Sequence, residues 1–112
     1  MASRAAEGED VMGELHDWLT GQHPGLKTFK TFRQKALDRA AADAHHRALY
    51  RLLAELTGEY IARYDGEPVP VDVAEHSYRH LLAIVADAEG AMTAPAAAQI
   101  DVLNKLAAAK LV

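Results

Sequence analysis

The chain has 112 residues, half of them hydrophobic by class, and a formal net charge of −4. This length allows one domain, and the absence of cysteine excludes a disulfide scaffold, a thiolate metal site and a cysteine nucleophile. The acidic balance, 16 Asp and Glu against 12 Lys and Arg, makes nucleic acid an unlikely partner. Alanine contributes 23 residues, whereas aromatic residues make up 6%. Because alanine and leucine favour helices, this composition predicts an all-α protein.

The N-terminal segment, Met1 to Asp10, contains one arginine and three acidic residues but no apolar run. We therefore expect neither a signal peptide nor a transit peptide. No apolar run in the sequence approaches the ~20 residues of a membrane span. These features predict a cytoplasmic protein with a disordered segment at 1–8, a single helical domain at 9–112 and no membrane partner. The high content of Ala and Arg favours a bacterial source for the sequence.

Four helical segments follow in chain order. The first runs from Asp10 to Thr20 and is followed by a turn rich in Gly and Pro at 21–25. The second begins at Thr28 or Thr31 and extends to about residue 65, before a Gly and two Pro residues. The third spans 72–90, opened by a capping box of Asp72 and Glu75. The fourth starts around 93–95 and continues to the C-terminus through Ile100, Leu103, Leu106 and Leu111. The prediction is a small four-helix bundle with one long central helix, about 28–65, and three shorter helices.

The long second helix exceeds the usual ~8–20 residues, so Gly58 is the place where we expect a kink, if there is one. One row of this helix consists of small residues that let another backbone approach closely: Ala36, Ala40, Ala44 and Ala48. The neighbour is either another helix of the same chain or a second copy, because apolar patches left bare usually mark interfaces. We expect these four alanines to form the interface of a homodimer.

A basic segment at 27–39 contains Phe29 and Phe32 between its charges. Basic residues that alternate with aromatics can indicate nucleic-acid binding through base stacking. However, the two phenylalanines have the spacing of core residues. We therefore expect both rings to be buried and the basic residues to form a solvated helix start that faces the acidic N-terminal segment.

Histidines supply the candidate metal site. His76 and His80 are spaced i, i+4 on the third helix, which places both imidazoles on one face with Asp87 near it. Two imidazoles and a carboxylate are a common ligand set for zinc or another divalent ion, and His45 or His46 could complete it. Two other hypotheses for these histidines are a purely structural role and a pH-sensitive interface.

Little in the sequence indicates catalysis. Only Ser3 and Ser77 provide serine hydroxyls, and no glycine-rich phosphate loop is present. A small enzyme acting through His76, Tyr78 or His80 remains an alternative. The leading hypothesis is a non-catalytic helical interaction module that forms a homodimer and needs no cofactor. An unidentified protein is a possible further partner. The competing hypothesis is a metal-binding bundle centred on His76 and His80.

Overall fold

The computed structural model describes residues 13–111, which form five helices and no strand. The described part of α1 covers residues 13–20, and the other helices are α2 (Leu26–Ala42), α3 (Arg47–Arg63), α4 (Val71–Ala91) and α5 (Ala96–Ala108). The all-α prediction is confirmed. The prediction of four helices with one long central helix is wrong, because 28–65 contains two helices. The predicted disordered segment at 1–8 and the predicted helix start at Asp10 lie outside the described residues.

The break between α2 and α3 lies at residues 43–46. Asp43 Oδ1 accepts hydrogen bonds from the backbone amides of His45 and His46 at 3.1 and 3.2 Å, and its Oδ2 lies 2.8 Å from His46 Nδ1. Arg47 Nε donates to the carbonyl of Ala40 at 2.8 Å, near the end of α2. Because side chains thus satisfy the carbonyl of Ala40 near the end of α2 and the two amides of the turn, the chain can turn here at little cost.

Gly58 is not a break, since it lies inside the continuous helix α3. Its missing side chain instead leaves room for Arg33 of α2. A Cβ atom built on Gly58 would lie 3.1 Å from Arg33 Nε. Nearby, the rings of Phe29 and Tyr60 have centroids 4.4 Å apart, so the start of α2 packs against the end of α3. The two helices therefore form an antiparallel hairpin.

The predicted start of α2 and the predicted cap of α4 are also corrected. Helix α2 begins at Leu26, earlier than either predicted threonine, and the Thr28 hydroxyl donates to the carbonyl of His23 at 2.6 Å. Helix α4 follows Pro70 without a side-chain cap, so Asp72 and Glu75 do not form the predicted capping box. Pro70 occupies the N-cap position of α4, and its ring fixes φ close to the value found at the start of a helix. The helix can therefore begin there without a polar side chain as its cap.

The core joins all five helices. Helices α1 to α4 contribute large apolar side chains that are at most 1% exposed, and α5 contributes Leu106 at 5%; the large side chains of the first four helices are Leu15, Leu19, Phe29, Phe32, Tyr50, Leu53, Leu81 and Val85. The burial of Phe29 and Phe32 confirms the prediction made from their spacing. Helix α1 lies against α2 and α4, because Lys35 Nζ is 5.1 Å from the centroid of the Trp18 ring and the Tyr78 hydroxyl donates to the carbonyl of Leu19. Among the helices described, none combines the length and apolar character required to cross a membrane.

Candidate functional site

The predicted alanine interface is divided by the break between α2 and α3. Ala36 and Ala40 are 0% and 3% exposed and pack inside the chain's own core. Ala44 lies in the connecting turn and Ala48 in the first turn of α3, and both are exposed. The four alanines therefore do not share one helix face, and only the second pair remains accessible to a partner.

Ala48 lies beside the start of α5. A small cavity of about 40 Å³ is lined by residues of both helices, including His46, Ala48 and Leu103. At the other end of α3, Arg63 shares a second cavity with Lys110, just beyond α5. Helices α3 and α5 therefore run side by side in the same direction.

Helix α5 is apolar but poorly covered. Leu106 is its only buried residue, within the fully described range Ala96–Ala108. Ile100 is 56% exposed and lies on the face opposite that of Val102, which contacts α4. Leu103 is half-buried on the same side as Ile100. The periodicity of the last helix predicted Ile100 to be a core residue. No feature of the local sequence indicates that it is exposed instead.

We define the α3–α5 face as Ala48, Leu52, Ile100 and Leu103. Leu52 follows Ala48 by four residues on the same row of α3 and is half-buried. Two charged side chains of α3, Arg51 and Glu55, are exposed on either side of Leu52 in the sequence. The face therefore combines an apolar centre with charged residues of both signs beside it.

The predicted metal ligands lie on one side of α4. The imidazole centroids of His76 and His80 are 6.0 Å apart. His80 and Asp87 line a groove of about 470 Å³ between α4 and α5, where Lys105 is the other charged residue. His76 does not line this groove. Across residues 13–111, no three His, Asp or Glu side chains lie close enough together to hold an ion.

Glu89 is a buried acid that the sequence analysis did not single out. It is 6% exposed, and its two carboxylate oxygens accept hydrogen bonds from the amides of Leu15 and His16, both at 3.1 Å. Burial raises its pKa from the ordinary value of 4.5 to about 7, although the two amide donors lower it. The i, i+4 row through Leu81 and Val85 leads directly to Glu89, so its burial was open to prediction from the spacing.

Tyr50 lies near Glu89, and Arg39 lies beside Tyr50. Burial raises the pKa of Tyr50, whose hydroxyl donates to Met92 Sδ at 3.7 Å. Arg39 lies 6.0 Å from the Tyr50 ring centroid and forms an ion pair of 3.9 Å with Glu14 of α1. The buried Nε of Arg39 has no hydrogen-bond partner among the described residues. This group of side chains ties α1 to the rest of the bundle.

Comparison with known proteins adds no relationship: no family model matches the chain, and no curated protein or solved structure matches it either.

Proposed function

We propose that this protein is a non-catalytic helical interaction module of the cytoplasm that self-associates through the α3–α5 face. The observation that carries the proposal is the exposure of apolar residues on α5, above all Ile100 at 56%. An apolar helix with one buried residue gains stability when a partner removes its exposed face from water. Ala48, one of the four predicted interface alanines, lies on this face.

A second copy of the chain fits the charges at the edge of the face. A two-fold interface is formed by the same surface of both copies. Every contact therefore occurs twice: residue i of the first copy meets residue j of the second, and residue j of the first meets residue i of the second. Arg51 and Glu55 are spaced i, i+4 in one row of α3 beside Leu52, so two antiparallel α3 helices place Arg51 of one copy against Glu55 of the other. The apolar centre then packs on its own copy, and small Ala48 allows the two backbones to approach closely.

Light scattering coupled to size-exclusion chromatography across a concentration series tests this proposal. We expect a dimer whose dissociation constant rises tenfold or more in Ile100→Lys, because a charge replaces an apolar contact at the centre of the interface. Val71→Lys is the matched control, since Val71 is a β-branched residue that is 75% exposed on a different part of the surface. A wild-type protein that is monomeric at every concentration, or equal weakening by both variants, would refute the α3–α5 dimer.

A metal-binding bundle is the second candidate, favoured by the two imidazoles on one side of α4. Because residues 13–111 bring no three suitable ligands together, this function requires a further ligand from a second copy or from elsewhere in the chain. Native mass spectrometry with added zinc reports bound ions and subunit number in one measurement. If His76→Ala combined with His80→Ala retains the same zinc content as His23→Ala, the histidine pair holds no metal.

A further inference from the structure

Helix α1 is fixed to α4 by polar contacts at two points. Near the start of its described part, Glu89 accepts hydrogen bonds from the amides of Leu15 and His16. At its other end, Tyr78 donates its hydroxyl to the carbonyl of Leu19 at 2.6 Å. Between them, the side chains of Leu15 and Leu19 are 1% and 0% exposed. Helix α1 therefore closes part of the core, and Glu89 is its attachment point at one end.

The charged groups around Glu89 do not neutralise it. Glu14 and Asp17 of α1 are acids, and their charges raise the pKa of Glu89 further. Arg39 of α2 forms its ion pair with Glu14, and α3 contributes Tyr50, a neutral hydroxyl near Glu89. Within the described chain, no basic side chain forms an ion pair with Glu89. An ionised carboxylate here is stabilised by backbone amides but loses its hydration and faces two acids.

We propose that Glu89 is an ionisable latch for α1: the protonated carboxyl group keeps the helix docked, and ionisation favours its release. The physical reason is that a carboxylate is better solvated in water than in this buried position. When α1 moves away, Glu89 becomes hydrated and is separated from Glu14 and Asp17. The latch therefore opens as pH rises through the neutral range. The contact between α1 and Glu89 is in this sense stabilised by acid.

The size of the effect follows from the two pKa values. The pKa of Glu89 is about 7 when α1 is docked, against an ordinary value of 4.5 in water. The equilibrium between docked and released α1 therefore shifts by up to about 300-fold toward release, of which about 80-fold falls between these two pH values. Between about pH 5 and pH 8 the same relation gives a shift of about 70-fold, and the shift levels off above the higher pKa.

Hydrogen exchange measured amide by amide tests the latch. Protection factors, which already correct for the intrinsic pH dependence of exchange, are compared for the amides of α1 and of the α3 core over this pH range. We expect protection at Leu15 and His16 to fall by tens of fold as pH rises, while protection in α3 changes much less. Trp18 is the only tryptophan of the chain, so its fluorescence gives an independent report on α1 in the same samples.

Glu89→Gln removes the ionisable group and should make protection in α1 independent of pH. Glu75→Gln is the matched control, because it makes the same change at an exposed position of the same helix. Equal loss of protection in α1 and α3 of the wild type would mean global unfolding and would overturn the latch. A pH dependence that survives in Glu89→Gln would also overturn it, and the wild-type profile alone decides the question if this variant does not fold.

Discussion

Gly58→Ala should stabilise the protein, although glycine in a long predicted helix suggests a kink. The structure places Gly58 well inside α3, a continuous helix of 17 residues. Glycine in a helix interior is less favourable than alanine because it loses more backbone freedom on folding. The new methyl group would lie 3.1 Å from Arg33 Nε and 3.6 Å from its Cδ. Arg33 is exposed and flexible, so its side chain can move a few tenths of an ångström.

The expected gain combines these two terms. Replacing an interior helical glycine by alanine contributes about 0.5–1 kcal/mol. Moving Arg33 removes part of this gain, because a side chain that lies across α3 must give up some packing. We expect a net stabilisation of about 0.5 kcal/mol, which raises the Tm by about 2–4 °C for a domain of this size.

Urea unfolding followed by circular dichroism measures this change. Gly90→Ala in α4 is the reference, since a Cβ atom at that position meets nothing within 4 Å. The difference between the two variants gives the free energy of displacing Arg33, and Arg33→Ala combined with Gly58→Ala should remove that difference. If Gly58→Ala is less stable than wild type while Gly90→Ala is more stable, then the close approach of Arg33 dominates and our reasoning on this helix is wrong.

Two further changes test local features. Gly66 has φ of +76°, so Gly66→Ala should destabilise the protein by about 1–2 kcal/mol even though the site is open, and an unchanged urea midpoint would contradict this. Asp43→Ala removes the carboxylate that accepts from the amides of His45 and His46 in the turn before α3, and should cost about 1–2 kcal/mol at neutral pH. Hydrogen bonding to His46 lowers the pKa of Asp43 below 3.8, so this stabilisation exists above pH 3.8 and is lost as pH falls through the lowered value. Urea titrations at neutral and strongly acidic pH should therefore show that the two proteins converge in acid.

Helix positions could largely be predicted from the sequence, because periodicity and helix breakers act over a few residues. The end of α1 at Thr20 and the span of α4 agree with prediction to within one residue. The second segment shows the limit of this reasoning. Asp43 and His46 occur within a run of good helix formers, so propensity alone predicts one continuous helix there. Their side chains instead form hydrogen bonds within a turn at 43–46, and antiparallel packing of α2 on α3 makes that turn favourable.

The candidate site depended more strongly on the tertiary structure. The sequence placed His76, His80 and Asp87 on one side of a helix, but only the fold shows that His76 is outside the groove that the other two line. Ile100 has the spacing of a core residue, yet it is exposed because neither neighbouring helix covers that side of α5.

The sequence by itself determined the all-α class and the single core, because both depend on composition and on short-range spacing. Tertiary structure decided which apolar residues remained exposed and which helix covers the acid that continues the core row of α4. Exposure of Ile100 and burial of Glu89 depend on which helices lie beside them, and these neighbours come from distant parts of the chain. Glu89 contacts Leu15 across 74 positions of sequence, a separation at which local periodicity carries no information.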